Sequence, residues 1–82
     1  MAHIRKVEIL ENYQLLVFFE SGEQKIFDLK PYLNKGIFKQ LKNYSYLATI
    51  KNRGRFVEWP NEQDLSADTL YIEGKDVRSA FS

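Results

Sequence analysis

The chain has no cysteine, only two prolines, four glycines and one histidine, and its 82 residues leave room for a single domain. Without thiols it has no disulfide to brace a small fold, no thiolate metal site, no thiol nucleophile and no redox pair. The glycines at 22, 36, 54 and 74 stand alone, outside the spacing of phosphate-cradling loops. Long apolar runs are also missing: Leu15 to Phe19 is the longest, and a membrane helix takes about 20 residues. Arg5, Lys6 and Glu8 sit where a secretory signal would need its apolar stretch. A cytoplasmic chain without membrane association or cofactor is expected. The lone histidine, His3, lies in a segment expected to fray, which denies it the fixed geometry that general-base catalysis or metal ligation needs. Ser21, Ser45, Ser66, Ser79 and Ser82 therefore lack a structured histidine to activate them.

What is present suits a packed core, since 44% of residues are hydrophobic and 15% aromatic. Alternation over Ile4 to Leu10 predicts a half-buried strand, and Asn12 a turn. The unbroken run Leu15 to Phe19 predicts a central strand covered on both faces. Ser21-Gly22 turns the chain into a third strand over Glu23 to Leu29. Pro31 to Asn34 reads as one helical turn that Gly36 can end in a left-handed conformation. Leu33, Ile37, Leu41 and Tyr44 recur at helical spacing and predict a short helix over Ile37 to Asn43 with its apolar stripe on the sheet. Beyond it Tyr46, Ala48 and Ile50 alternate, Arg53-Gly54 can turn the chain, and Val57 and Trp59 return. A two-residue loop there sets Ile50 across from Val57, Ala48 across from Trp59 and Thr49 across from Glu58. Pro60 ends the strand, and Ser66 caps a helical turn with Asp68 in its first turn. The expected class is α+β: a small curved, mostly antiparallel sheet of about five strands, one short helix packed on it and a helical turn near the C-terminus. Residues 1–82 form one domain, with ends 1–3 and 79–82 expected to fray.

The near-neutral total conceals segregation. From Lys30 to Arg55 there are seven bases and no acid, whereas the preceding residues hold three bases and five acids and the following ones two bases and six acids. Lys35, Lys39 and Lys42 on the helix, with Arg53 and Arg55 at the turn, are the candidate partner-binding patch for an acidic protein. RNA or DNA is the alternative ligand of the same basic segment 30–55. Against both stands a mixed surface, in which folding interleaves Lys51 and Arg55 with Glu58 and the acidic C-terminal third. Carboxylates offer an enzyme alternative, a hard-cation site where Asp28, Asp64 and Glu58 converge, but Asp28 and Asp64 read more simply as turn residues and Asp68 as a complement to the helix dipole. Phe18, Phe19, Phe27 and Trp59 are expected in the core.

The segments VFFESGEQKIFDLKPYL, GIFKQL and above all WPNEQDLSADTLY resemble domain-of-unknown-function family 2442, small bacterial domains, over about Val7 to Tyr71. The most specific part of the likeness is Trp59, Pro60, Asn61, Asp64, Leu65, Leu70 and Tyr71, while Ala67 stands where relatives often show proline. The resemblance implies a compact α+β fold with a strongly curved sheet and no established reaction. It also implies a partner encoded beside it, as in antitoxin-like pairs, or an appended helix-turn-helix domain, which is not expected here because only about ten residues follow. The resulting expectation is a non-enzymatic interaction module for a small protein encoded nearby. Pairing of two copies through an edge strand, guarded in part by Lys6 and Lys51, is the other association open to it.

Overall fold

A computed structural model describes residues 1–78. Strand β1 (Ile4–Leu10), β2 (Gln14–Phe19) and β3 (Gln24–Asp28) form the antiparallel meander expected from the alternation. Their turns follow from local backbone chemistry. Asn12 and Tyr13 both adopt positive φ, at 63° and 59°, between β1 and β2, and Gly22 takes φ 94° between β2 and β3. That hairpin closes with the Phe19 amide on the Glu23 carbonyl and the Gly22 amide on the Phe19 carbonyl, each at 2.9 Å.

The apolar run in β2 is covered unequally. Leu15, Val17 and Phe19 are buried in the core, whereas Leu16 and Phe18 are half-buried. On that second face Arg5 and Lys6 lie over the Phe18 ring, 5.6 and 5.3 Å from its centroid. Long basic side chains shade an aromatic from water there, where the run had suggested a second packed layer.

Past β3, Pro31 sits in a 3-10 turn, Lys30–Tyr32, and Gly36 adopts φ 47°. The helix expected over Ile37 to Asn43 is a 3-10 helix, Gly36–Lys42. Three residues per turn align positions three apart and break the four-residue stripe. Leu41 is therefore buried and Phe38 half-buried, while Ile37 and Tyr44, expected against the sheet, are 56% and 44% exposed.

The largest correction concerns Tyr46 to Ile50, which does not form a strand. Tyr44–Leu47 is helix α1, because the Asn43 side chain caps it by accepting from the amides of Ser45 and Tyr46 at 3.0 and 3.4 Å. A capped turn that buries Leu47 outweighs the alternation, and Ala48 faces solvent. The following hairpin pairs β4 (Lys51–Asn52) with β5 (Phe56–Glu58) in the register Lys51 to Glu58 and Asn52 to Val57. That is two residues away from the expected register, so each side chain keeps its face while its partner changes. The turn centres on Gly54-Arg55, with Gly54 at φ 85° and the Arg53 amide on the Phe56 carbonyl at 2.8 Å.

Strand β6 (Asp64–Ser66) completes a three-stranded antiparallel sheet in the order β4, β5, β6. Ser66 caps helix α2 (Ala67–Glu73) by accepting from the Thr69 amide at 3.0 Å. Strand β7 (Lys75–Asp76) then joins β3, so the first sheet has the order β1, β2, β3, β7. Among the described residues, seven short strands in two sheets replace the single sheet of about five. The sheets meet where the Ile4 amide donates to the Gly54 carbonyl at 2.6 Å, and they share one core with Leu47, Val57, Trp59, Leu65 and Leu70.

The start of the chain, expected to fray, is engaged at two residues: the Ala2 amide donates to Asp68 Oδ1 at 3.0 Å, and the His3 carbonyl accepts from Glu20 at 2.8 Å. The other expected fray, 79–82, lies outside the described residues. The outer edge of β1 is occupied at both ends, by Gly54 and the Asn52 side chain at Ile4 and by the Tyr44 hydroxyl at Leu10. Trp59 is 2% exposed, and its indole N–H donates to the Leu47 carbonyl at 3.0 Å. Trp59→Ala is expected to lower unfolding free energy by about 3 to 5 kcal/mol in urea denaturation, through the cavity and the carbonyl left without its donor.

Candidate interaction surface

The signature Trp59 to Tyr71 is a structural unit built on a buried amide that the sequence did not single out. Gln63, 1% exposed, accepts from the Tyr46 hydroxyl at 2.6 Å and donates to the Ile37 carbonyl at 2.8 Å and to Gln40 Oε1 at 3.3 Å. Asn61 runs parallel to it, its backbone amide donating to Tyr46 Oη and its side chain to Gln40 Oε1, both at 2.8 Å. The chain reaches this arrangement because Glu62 takes φ 75° and the Trp59 amide closes the turn on the Gln63 carbonyl at 2.9 Å. Pro60 lies exposed in that turn. Leu65 and Leu70 are buried, Asp64 is exposed, and Tyr71 packs edge-on to Phe19 at 5.4 Å. The network thus holds the 3-10 helix by the Ile37 carbonyl in its first turn and by Gln40. An alternating or helical pattern could not announce Gln63, because a buried glutamine is legible only through its partners.

The five basic candidates do not share one location. Lys39 and Lys42 are three apart on the 3-10 helix and share a face by its geometry. Lys35 precedes that helix, with its ammonium 5.4 Å from the Tyr32 ring centroid. Lys42 is anchored near the far end of β1, through its carbonyl on the Tyr13 hydroxyl at 2.7 Å. Arg53 and Arg55 flank Gly54 at the opposite end of β1, one strand length away, which is about 20 Å at roughly 3.3 Å per residue. Arg53 is ion-paired with Glu58 at 2.5 Å, Lys30 with Asp28 at 3.0 Å, and Lys25 with Asp76 at 3.6 Å. Arg55 donates to the Met1 sulfur at 3.4 Å. Folding therefore interleaves Lys30 and Arg53 of the basic block with acids, while Lys25 lies outside that block. Of the two bases expected to be interleaved, Lys51 faces Glu58 across the strands without an ion pair and Arg55 has no acid partner among the described residues. Among the described residues, no carboxylate lies within ion-pair distance of Lys35, Lys39, Lys42 or Lys51.

Of the three candidate carboxylates, Glu58 and Asp64 come together while Asp28 lies in the other sheet. Asp28 accepts from the Lys30 amide at 2.9 Å and so ties its own turn. Glu58 and Asp64 are cross-strand neighbours between β5 and β6. Among the described residues, no group of three or more histidines and carboxylates is placed to hold a metal ion. The recesses lined by described residues include two. One, of about 420 Å³, lies between the first residues and α2 and includes His3, Glu20, Glu23, Asp68, Tyr71 and Ile72. The other, of about 220 Å³, is lined by Lys51, Arg53, Glu58, Trp59 and Pro60.

Two tyrosines carry perturbed phenols. The hydrogen bond from Tyr32 to Glu73 at 2.6 Å, then partial burial, then the negative charge of Glu73, push Tyr32 up to about 12. Tyr71 is raised first by its hydrogen bond to Glu23.

The architecture defines a small α+β domain of two antiparallel sheets on one core. Residues 4–76 match the model of the DUF2442 family, described as protein of unknown function, and the chain belongs to that family. No curated protein and no solved structure matches it. Among the described residues, no helix is long and apolar enough to cross a membrane.

Gln63→Leu leaves the Tyr46 hydroxyl and the Ile37 carbonyl without their partner, and is expected to destabilise by about 2 to 4 kcal/mol in urea denaturation. The Tyr32 contact gives a pH dependence of definite sign. Deprotonation is harder in the folded chain than in the unfolded one, where the phenol ionises near about 10, so the contact's stabilisation is complete below about pH 10 and is lost as pH rises through about 12. Melting temperatures measured from pH 9 upward are expected to fall less steeply for Tyr32→Phe than for the unaltered chain.

Proposed function

We propose that this chain is a non-enzymatic interaction module that binds an acidic protein surface through the outer face of the 3-10 helix. The carrying observation is the pair Lys39 and Lys42, on one face of that helix and free of any carboxylate partner among the described residues, beside Ile37 at 56% and Tyr44 at 44% exposure. Ile37 shares the adjoining face with Gln40, and Tyr44 follows Lys42 by two residues, so exposed apolar side chains next to the lysines along the chain give a partner contact area as well as a charge to match. The polar network of Gln63 and Asn61 supports the reading, because it fixes the helix from beneath. The partner in this proposal is a small protein encoded nearby, in an antitoxin-like pair. Ile37, an exposed aliphatic side chain that offers no face for stacking on bases, favours protein over nucleic acid, whereas Tyr44 suits either.

The test is capture from native lysate at low and moderate salt, followed by affinity measurement with the captured protein purified. Lys39→Glu combined with Lys42→Glu is expected to weaken that binding about tenfold or more while leaving the melting temperature unchanged. Unchanged affinity contradicts the docking face. Retention of RNA or DNA that falls steeply with salt, with no protein retained, reassigns the lysines to phosphate.

A further inference from the structure

We propose that the recess between β4 and β5 is a carboxylate-binding subsite, which receives an acidic side chain of the protein partner. This rests on the docking face argued above and extends it to a second, separate cationic position.

Three features of the recess support it. Arg53 is held in place by its Nε, which donates to Glu58 Oε2 at 2.5 Å. Its two terminal amino groups make no hydrogen bond among the described residues, so they are left to grip a second carboxylate in the end-on, bidentate manner of a guanidinium. Lys51 stands across the strand pair from the same Glu58, whose charge is already matched by Arg53, and it has no ion-pair partner among the described residues. Two cations and one anion thus line a concavity of about 220 Å³, the size of a side chain, while Asp64, the cross-strand neighbour of Glu58 on β6, stands outside that lining. Exposed Pro60, backed by the buried Trp59, gives an apolar side that suits the methylenes of a glutamate or aspartate.

Position adds a reason to read the recess as part of the docking surface. Pro60 leads directly to Asn61, whose side chain is bonded to Gln40 of the 3-10 helix, next to Lys39. The recess and the helix face are therefore joined through a single turn.

N-acetylglutamate and inorganic phosphate are the two probes, followed by NMR at the Arg53 Nε–H and the Trp59 indole N–H. The expected result is saturable binding of N-acetylglutamate that moves both signals together, weakens about fivefold or more in Lys51→Gln and is unchanged in Lys39→Glu. A non-saturating drift, equal affinity in Lys51→Gln, or tighter binding of phosphate overturns the carboxylate assignment. Lys51 is exposed on a two-residue strand, so its variant tests binding with the fold intact. With the captured partner, Lys51→Gln is expected to lower affinity about threefold to tenfold. Full affinity there, together with loss in the Lys39/Lys42 variant, refutes the subsite and leaves the docking face standing. The opposite pattern keeps the subsite and removes the docking face.

Discussion

Gln63 brings a side-chain amide into the core and finds a partner for each end of it, in Tyr46 on one side and in Ile37 and Gln40 on the other. A buried amide is costly when unpaired, so its position is defined only when all of those groups meet. The 3-10 helix, helix α1 and the turn after Trp59 are thereby fixed relative to one another at a single point. Trp59 works alongside it, adding a large apolar surface and a donor to the Leu47 carbonyl. The second sheet, with strands of only two or three residues, has too little ladder of its own to set these angles.

A 3-10 helix of seven residues is longer than the form usually runs. Its eclipsed side chains place Lys39 and Lys42 together on the outside and Phe38 with Leu41 toward the core, while Gln40 reaches Asn61 and Gln63. The geometry that spoils a four-residue apolar stripe is the same geometry that gathers the lysines. Structure and proposed function are thus linked through one local conformation, and the clamp beneath the helix is what maintains it.

Much of the first sheet was legible in the sequence. Ile4 to Leu10 and the turns at Asn12 and Gly22 follow from alternation and positive-φ chemistry, and Ser66 announces the cap of α2. The stretch Tyr46 to Ile50 resembles a strand only through a weak alternation, and Asn43, a strong cap, decides the conformation locally. The hairpin register differs by two residues because Arg53-Gly54 and Gly54-Arg55 turns satisfy the same facial pattern, and the contacts of Gly54 with Ile4 and the Asn52 side chain and of Arg55 with Ala67 separate them. The block of seven bases was visible, but its division between the two ends of β1 depends on long-range packing. Gln63 left no sequence signal, since its role is defined by groups that lie 17 to 26 residues away.

The direct test of this account is NMR of the amide groups at its centre. The side-chain protons on Gln63 Nε2 are expected to exchange slowly with solvent and to show cross-relaxation to Ile37, while residues 36–42 show the i to i+2 contacts of a 3-10 helix. Solvent-rate exchange at Gln63 together with i to i+4 contacts along the helix would contradict the clamp, and with it the surface it is held to support.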